Sequence, residues 1–271
     1  MELVLHFGLV AALCLYAISS AWYVDALLRG GTHSDVYAKR TLQLALTVHG
    51  LHVAAGLVVG MSLRLDLRLA LSATSLLLGA AYLLTAWRRP RLALLGAFII
   101  PVVLLLASAS ELAKGQIDRY SAQGDTLLTF HIAVNVLGLV AFILAFAVSA
   151  AYLIQETMLR KKNLHALFQR LPDLHVLDNL VLLFVTLGFP LLSLGIATGA
   201  MRSYNIHGTV VVFGNGQIFA LLAWACFAGV LVLRFAAGWR GRRAAIGTMV
   251  GFVCSMLVIF GYLLRGIGLG P

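Results

Sequence analysis

Long apolar runs separated by short polar stretches set the pattern of this chain. Eight of them, at about 3–24, 41–63, 68–87, 92–112, 127–154, 177–200, 217–237 and 245–264, each approach or exceed the roughly 20 residues that a helix needs to cross the hydrocarbon core. The pattern predicts an all-α, polytopic membrane protein, a bundle of eight transmembrane helices. Hydrophobic residues make up 61% of the chain and charged residues 11%, which agrees with that class. Little sequence is left between the windows, so a single integral membrane domain over 1–271 is expected. The longest connection, 155–176, carries an apolar stripe of Leu164, Leu167, Phe168 and Leu171 beside Arg160, Lys161, Lys162 and Arg170. It reads as a helix lying on the membrane surface, about 157–172.

The basic residues give the chain an orientation. Four alternate connections hold fourteen of the twenty Lys and Arg, among them Arg29, Arg88, Arg160, Lys161, Lys162, Arg234 and Arg242, and the opposite side holds six. Cytoplasmic loops are enriched in these residues, so both termini are expected on the non-cytoplasmic side, together with a loop over about 202–216. The net charge of +10 is thereby spread over several loops instead of forming the single patch that nucleic acid would require. Glu2, and the absence of Lys or Arg before Arg29, give no sign of a cleaved secretory leader, and the first helix is expected to stay.

Histidine is the residue type that points to chemistry. His131 lies about one turn inside an apolar segment, and an ionisable side chain at such a depth is a functional-site hypothesis by default. His49 and His52, three residues apart, share one helix face near mid-membrane, where they could bind a metal, ligate a haem or simply bond neighbouring helices. His207 stands in the expected outer loop and His6 opens the first helix on the same side, while His33, His165 and His175 fall in cytoplasmic loops. Neutral imidazole is a good ligand for haem iron and a ready proton carrier. Cys14, Cys226 and Cys254 lie singly in apolar segments, and no Cys-x-x-Cys pair offers redox cycling or zinc binding. Gly195 and Gly199, like Gly56 and Gly60, form small-xxx-small patterns that let helices approach closely.

Several stretches together resemble a known family. They are FH at 130–131, YLIQ at 152–155, LPDL at 171–174, LD at 177–178, GFPLLSLGIATG at 188–199 and GWRGRR at 238–243. In order and spacing these are similar to the cytochrome c assembly membrane proteins, the superfamily of CcsA, CcmC and CcmF, with the layout of short CcsA or YpjD-type members. The resemblance covers roughly 65–265. It implies haem handling at the outer face of a bacterial cytoplasmic (inner) membrane. The implied ligand is haem b, with His131 matching an outer histidine that ligates haem iron. The implied partners are a CcsB-like protein and apocytochrome c, in addition to the lipid bilayer, and the implied activity is at most a part of a haem lyase-type cytochrome c synthesis system.

The chain also departs from the family pattern. At 203–217 it reads SYNIHGTVVVFGNGQ, with no tryptophan where CcsA-like proteins carry a tryptophan-rich segment, so Tyr204, Phe213 and the loop backbone would have to cover the haem face. The tail, GYLLRGIGLGP at 261–271, lacks the second outer histidine, and VLVLR at 230–234 has Arg234 where a histidine often stands. The expected function is a haem-binding or haem-transferring component of cytochrome c maturation. In it His131 acts with His207 or a partner's residue, and His49 or His52 serves haem inside the bilayer. The alternative is a divergent YpjD-like membrane protein that handles an ion or serves as an accessory subunit without haem.

Overall fold

The structure, a computed structural model, describes residues 2–29, 32–58, 67–88, 90–112, 126–162, 171–209 and 215–266. Those residues form eight α-helices: α1 (Glu2–Arg29), α2 (Thr32–Val58), α3 (Leu67–Arg88), α4 (Gly96–Leu112), α5 (Thr126–Arg160), α6 (Leu174–His207), α7 (Asn215–Ala237) and α8 (Arg242–Gly266). A 3-10 turn, Pro90–Leu95, joins α3 to α4. The chain is all-α, as expected. Six of these helices, α1, α3, α5, α6, α7 and α8, are long and apolar enough to cross a membrane. Among the others α4 is apolar but shorter, and α2 is the most polar of the eight. Large apolar side chains such as Phe235, Leu105 and Leu51 point outward, each about two-thirds exposed or more, which suits a surface that faces acyl chains.

Several helices run past the apolar windows. Thr32 opens α2 nine residues before its apolar run, α5 continues to Arg160, and α6 starts at Leu174 and ends at His207. Polar ends of helices are held by side-chain pairs that hydropathy does not see. In α2 the Lys39 Nζ donates to Asp35 Oδ2 at 2.8 Å, and in α5 Arg160 reaches Glu156 at 2.8 Å. At the other end of α6, Gly208 adopts φ +70°, and its N–H donates to the Tyr204 carbonyl at 2.9 Å. A left-handed glycine closes the last turn there at little cost. Residues 202–207 of the expected outer loop are therefore the last turns of α6, and 210–214 lie outside the described residues. Likewise 157–160 of the expected surface helix complete α5, and 163–170 lie outside the described residues. Leu171 is buried.

The core is organised around α5. In its most apolar window 67% of the residues are buried inside the protein, against 22–44% in the other spans, and α6, α8, α3 and α4 pack against it. Phe142 of α5 stacks on Phe227 of α7 at 3.8 Å between ring centroids, and Phe146 stacks on Phe252 of α8 at 4.5 Å. On the other flank Tyr23 and Tyr82 meet edge to face at 5.5 Å, and the Tyr82 hydroxyl donates to the Ala93 carbonyl in the 3-10 turn. Burying the Tyr82 hydroxyl is tolerable because it is bonded. The interior prolines Pro101 and Pro190 leave α4 and α6 continuous.

Candidate functional site

The seam between α5 and α6 carries the most specific side-chain arrangement in the protein. The helices run antiparallel, and glycines on α6 face the large groups of α5 in strict register. A Cβ at Gly199 would lie 3.0 Å from His131 Cε1, one at Gly195 would lie 2.5 Å from Asn135 Oδ1, and one at Gly188 would lie 2.7 Å from Phe142 Cε1. As α5 advances by four and then seven residues, α6 retreats by the same steps. Three α5 side chains thus lie in slots that only glycine leaves open. Gly195 and Gly199 read from sequence as a packing signal, and with Gly188 they pack against one amide, one imidazole and one phenyl ring.

His131 is held within this seam. Its Nδ1 is 3.0 Å from Thr198 Oγ1, and Asn135 donates through Nδ2 to the His131 carbonyl at 2.7 Å. The Asn135 Nδ2 also lies 3.3 Å from each ring nitrogen. Thr198 is itself back-bonded along its helix, with Oγ1 2.7 Å from the Leu194 carbonyl and 3.1 Å from that of Gly195. Sequence reasoning found His131 and missed Asn135 and Thr198. The available signal was the i, i+4 spacing of His131 and Asn135 on one helix face; nothing short of the fold brings Thr198, 67 residues away, to the ring.

The other predicted site residues are placed elsewhere. His49 of α2 is fully buried, with Tyr16 Oη of α1 3.2 Å from its Nδ1 and Ser72 Oγ of α3 3.0 Å from its Nε2. Both ring nitrogens therefore meet hydroxyls, and the imidazole bolts three helices together. His52, one turn on, has its ring centroid 6.5 Å from that of His49 and faces Gly8 of α1. This cluster belongs to the α1–α2–α3 flank, not to the α5–α6 seam. Tyr204 is exposed and lines an open depression of about 350 Å³ with Ala200, Met201 and Asn205; His131 is not among its walls. His207 ends α6, and its side chain lies outside the described residues. Among the described residues no group of three or more His, Cys, Asp or Glu is placed to hold a metal ion.

At the opposite end of the bundle the basic residues acquire partners. Arg234 of α7 grips Asp178 of α6 with two parallel bonds of 2.9 Å, and the Gly241 N–H adds a third to Asp178 at 2.8 Å. Glu156 of α5 accepts from Arg160 and, at 3.3 Å, from Arg242 of α8. Gly241 has φ +65°, and a side chain there would run into the Tyr152 hydroxyl. The segments LD and GWRGRR thus meet through the bond of Asp178 to Gly241, and Tyr152 of YLIQ lies beside that glycine. The three cysteines are free thiols; Cys226 of α7 and Cys254 of α8 are neighbours across their helices.

Comparison with known proteins follows the same lines. A family model described as "Cytochrome C assembly protein" matches residues 37–269. The chain is 29% identical over 201 residues to the cytochrome c biogenesis protein CcsA of Guillardia theta, covering 67% of each chain. It is 39% identical over 101 residues to the CcsA of Trichormus variabilis, which covers 37% of this chain and 29% of that protein. Among solved structures it resembles the cytochrome c haem lyase CcmF, with a TM-score of 0.66 at 15% identity over 99% of this chain and 50% of that one. The chain therefore spans about half of the CcmF chain, and the likeness there is one of fold. With the family model matched over most of its length, and the family's segments gathered at the two ends of one α5–α6–α7–α8 unit, this chain belongs to the cytochrome c assembly protein family.

Proposed function

We propose that the protein is a haem-binding or haem-transferring membrane component of cytochrome c maturation, in which haem is the cargo and His131 is an axial ligand to its iron. The observation that carries this reading is the seating of His131. Its ring rests on Gly199, Thr198 Oγ1 holds Nδ1 at 3.0 Å, and the contact to Nε2 is the longer one of 3.3 Å from Asn135, which is shared with Nδ1. The depth of the residue suits the role. At 1.5 Å per residue the 35 residues of α5 span about 52 Å, so a helix centred on a core of about 30 Å overhangs by about 11 Å at each end. His131, five residues in from Thr126, is about 7–8 Å from that end and so belongs to the headgroup layer, where a large amphipathic cargo can be received from or passed to the aqueous side.

The distribution of basic residues supports an orientation with both termini and His131 on the non-cytoplasmic side of a bacterial cytoplasmic membrane. Bound haem would supply a redox-active iron whose state an axial imidazole tunes; the protein's part is to hold the ring, exclude water with apolar helix ends, and present the porphyrin edge to an apocytochrome c. Tyr204 and His207, at the end of α6, are the nearest residues in sequence to extend such a surface, and a CcsB-like partner would complete it. The second reading, a YpjD-like accessory protein without haem, is favoured by one feature, the absence of any tryptophan at 203–217.

An absorption spectrum of the purified protein separates the two. The expected result is a Soret band in the native protein and a drop of at least about tenfold in haem occupancy in His131→Ala. A native protein that carries no haem after expression with ample haem supply sinks the proposal, and unchanged occupancy in His131→Ala sinks the ligand assignment.

A further inference from the structure

We infer that Thr198 fixes the tautomer of His131, so that Nδ1 carries the proton and Nε2 presents its lone pair to the cargo iron. The inference rests on the reading of His131 as a haem ligand for its consequence, but its first half concerns the haem-free protein alone.

It follows from counting protons. A threonine hydroxyl has one hydrogen to give and two lone pairs with which to accept. In α6 that hydrogen is committed: Thr198 Oγ1 lies 2.7 Å from the Leu194 carbonyl and 3.1 Å from the Gly195 carbonyl, and a carbonyl can only accept. The 3.0 Å contact between Thr198 Oγ1 and His131 Nδ1 therefore has one polarity left, Nδ1–H donating to the hydroxyl oxygen. A neutral imidazole with its proton on Nδ1 has an unprotonated Nε2, which is the state a metal needs.

The Asn135 amide also approaches that nitrogen, and geometry keeps it off the lone pair. Its Nδ2 is 3.3 Å from both ring nitrogens. An atom equidistant from Nδ1 and Nε2 lies on the plane that bisects the ring between them, and each nitrogen's lone pair points away from that plane. Asn135 therefore sits beside the ring without capping Nε2, while one of its two amide N–H groups donates to the His131 carbonyl at 2.7 Å. Gly195 leaves room for that amide and Gly199 for the ring. Thr198 is a positioning residue in this scheme: it touches the ligand and not the cargo. Outer-shell partners of this kind set which nitrogen binds and how the ring is oriented, and removing one typically weakens metal binding by about 10–100-fold.

The test uses two variants of the full chain. Thr198→Val keeps the shape and removes the acceptor; Thr198→Ser keeps the hydroxyl and is the rescue. In haem-free protein labelled with 15N-histidine, the native chain and Thr198→Ser are expected to show His131 with a protonated Nδ1 and a bare Nε2, and Thr198→Val a mixture of tautomers. In haem titrations of the same proteins, Thr198→Val should bind about tenfold more weakly, with Thr198→Ser close to native. A native His131 protonated on Nε2, or a tautomer unmoved by Thr198→Val, overturns the inference whether or not haem binds. If the tautomer shifts as expected while no variant takes up haem, the role of Thr198 stands and the haem reading falls.

Discussion

Arg234→Met is expected to destabilise the protein by about 3–5 kcal/mol, and the Arg234→Met/Asp178→Leu double variant to recover most of that loss. The two side chains are only 7% and 11% exposed. Desolvating both ions is costly, and two parallel bonds plus the Gly241 N–H are what offset the cost. Removing the guanidinium alone leaves the Asp178 carboxylate buried with one backbone donor. Removing both leaves a packing change and no uncompensated charge. The geometry adds a second consequence, because Asp178 on α6 is bonded both to Arg234 on α7 and to the N–H of Gly241 at the start of α8. Losing either partner frees the turn between α7 and α8, so increased proteolysis near Trp239 should accompany the thermal shift in the single variants. Thermal midpoints in detergent check the first claim. Equal loss in single and double variants would show that the pair is not held together by mutual neutralisation.

That pair also marks where the sequence stops being readable. Hydropathy found the eight α-helices of the described residues, because each run is apolar over most of its length. It misjudged their ends, because Asp35 with Lys39 and Glu156 with Arg160 extend helices through polar turns. Arg234 counts from sequence as one of the cations that orient the chain. In the fold it is a buried counter-ion, and only the crossing of α6 with α7 reveals it. His49 and His52 share a helix face as their spacing requires, yet the hydroxyls that decide what His49 does belong to Tyr16 and Ser72, on two other helices. His131 was legible because a titratable group in an apolar run is rare. Its neighbours were not, because Thr198 is an ordinary helix residue until α6 is laid antiparallel against α5. Register is a property of two helices together, and a single line of sequence carries it only as a row of glycines.

The row of glycines can be tested as register. Gly195→Ala is expected to cost about 1–3 kcal/mol, since the added methyl falls 2.5 Å from Asn135 Oδ1 and the helices must part or the amide must leave its slot. Gly188→Ala should cost a similar amount by pushing Phe142, whose ring is stacked on Phe227 at 3.8 Å and cannot turn aside freely. The contrast is Gly229→Ala on α7. An added Cβ there meets nothing within 4 Å, so the exchange should be neutral or stabilising by up to about 1 kcal/mol, the helix-propensity difference. Thermal midpoints of the three variants measure this directly. The pairing of residues also predicts which function each glycine touches: Gly195→Ala should lower haem occupancy along with stability, because Asn135 and His131 are one turn apart on the same face, whereas Gly188→Ala, two turns further along from Asn135, should lower stability and leave occupancy in the folded fraction near native. A Gly195→Ala protein as stable as Gly229→Ala would mean that α5 and α6 are not in the register that seats His131, and the site described at their seam would have to be abandoned.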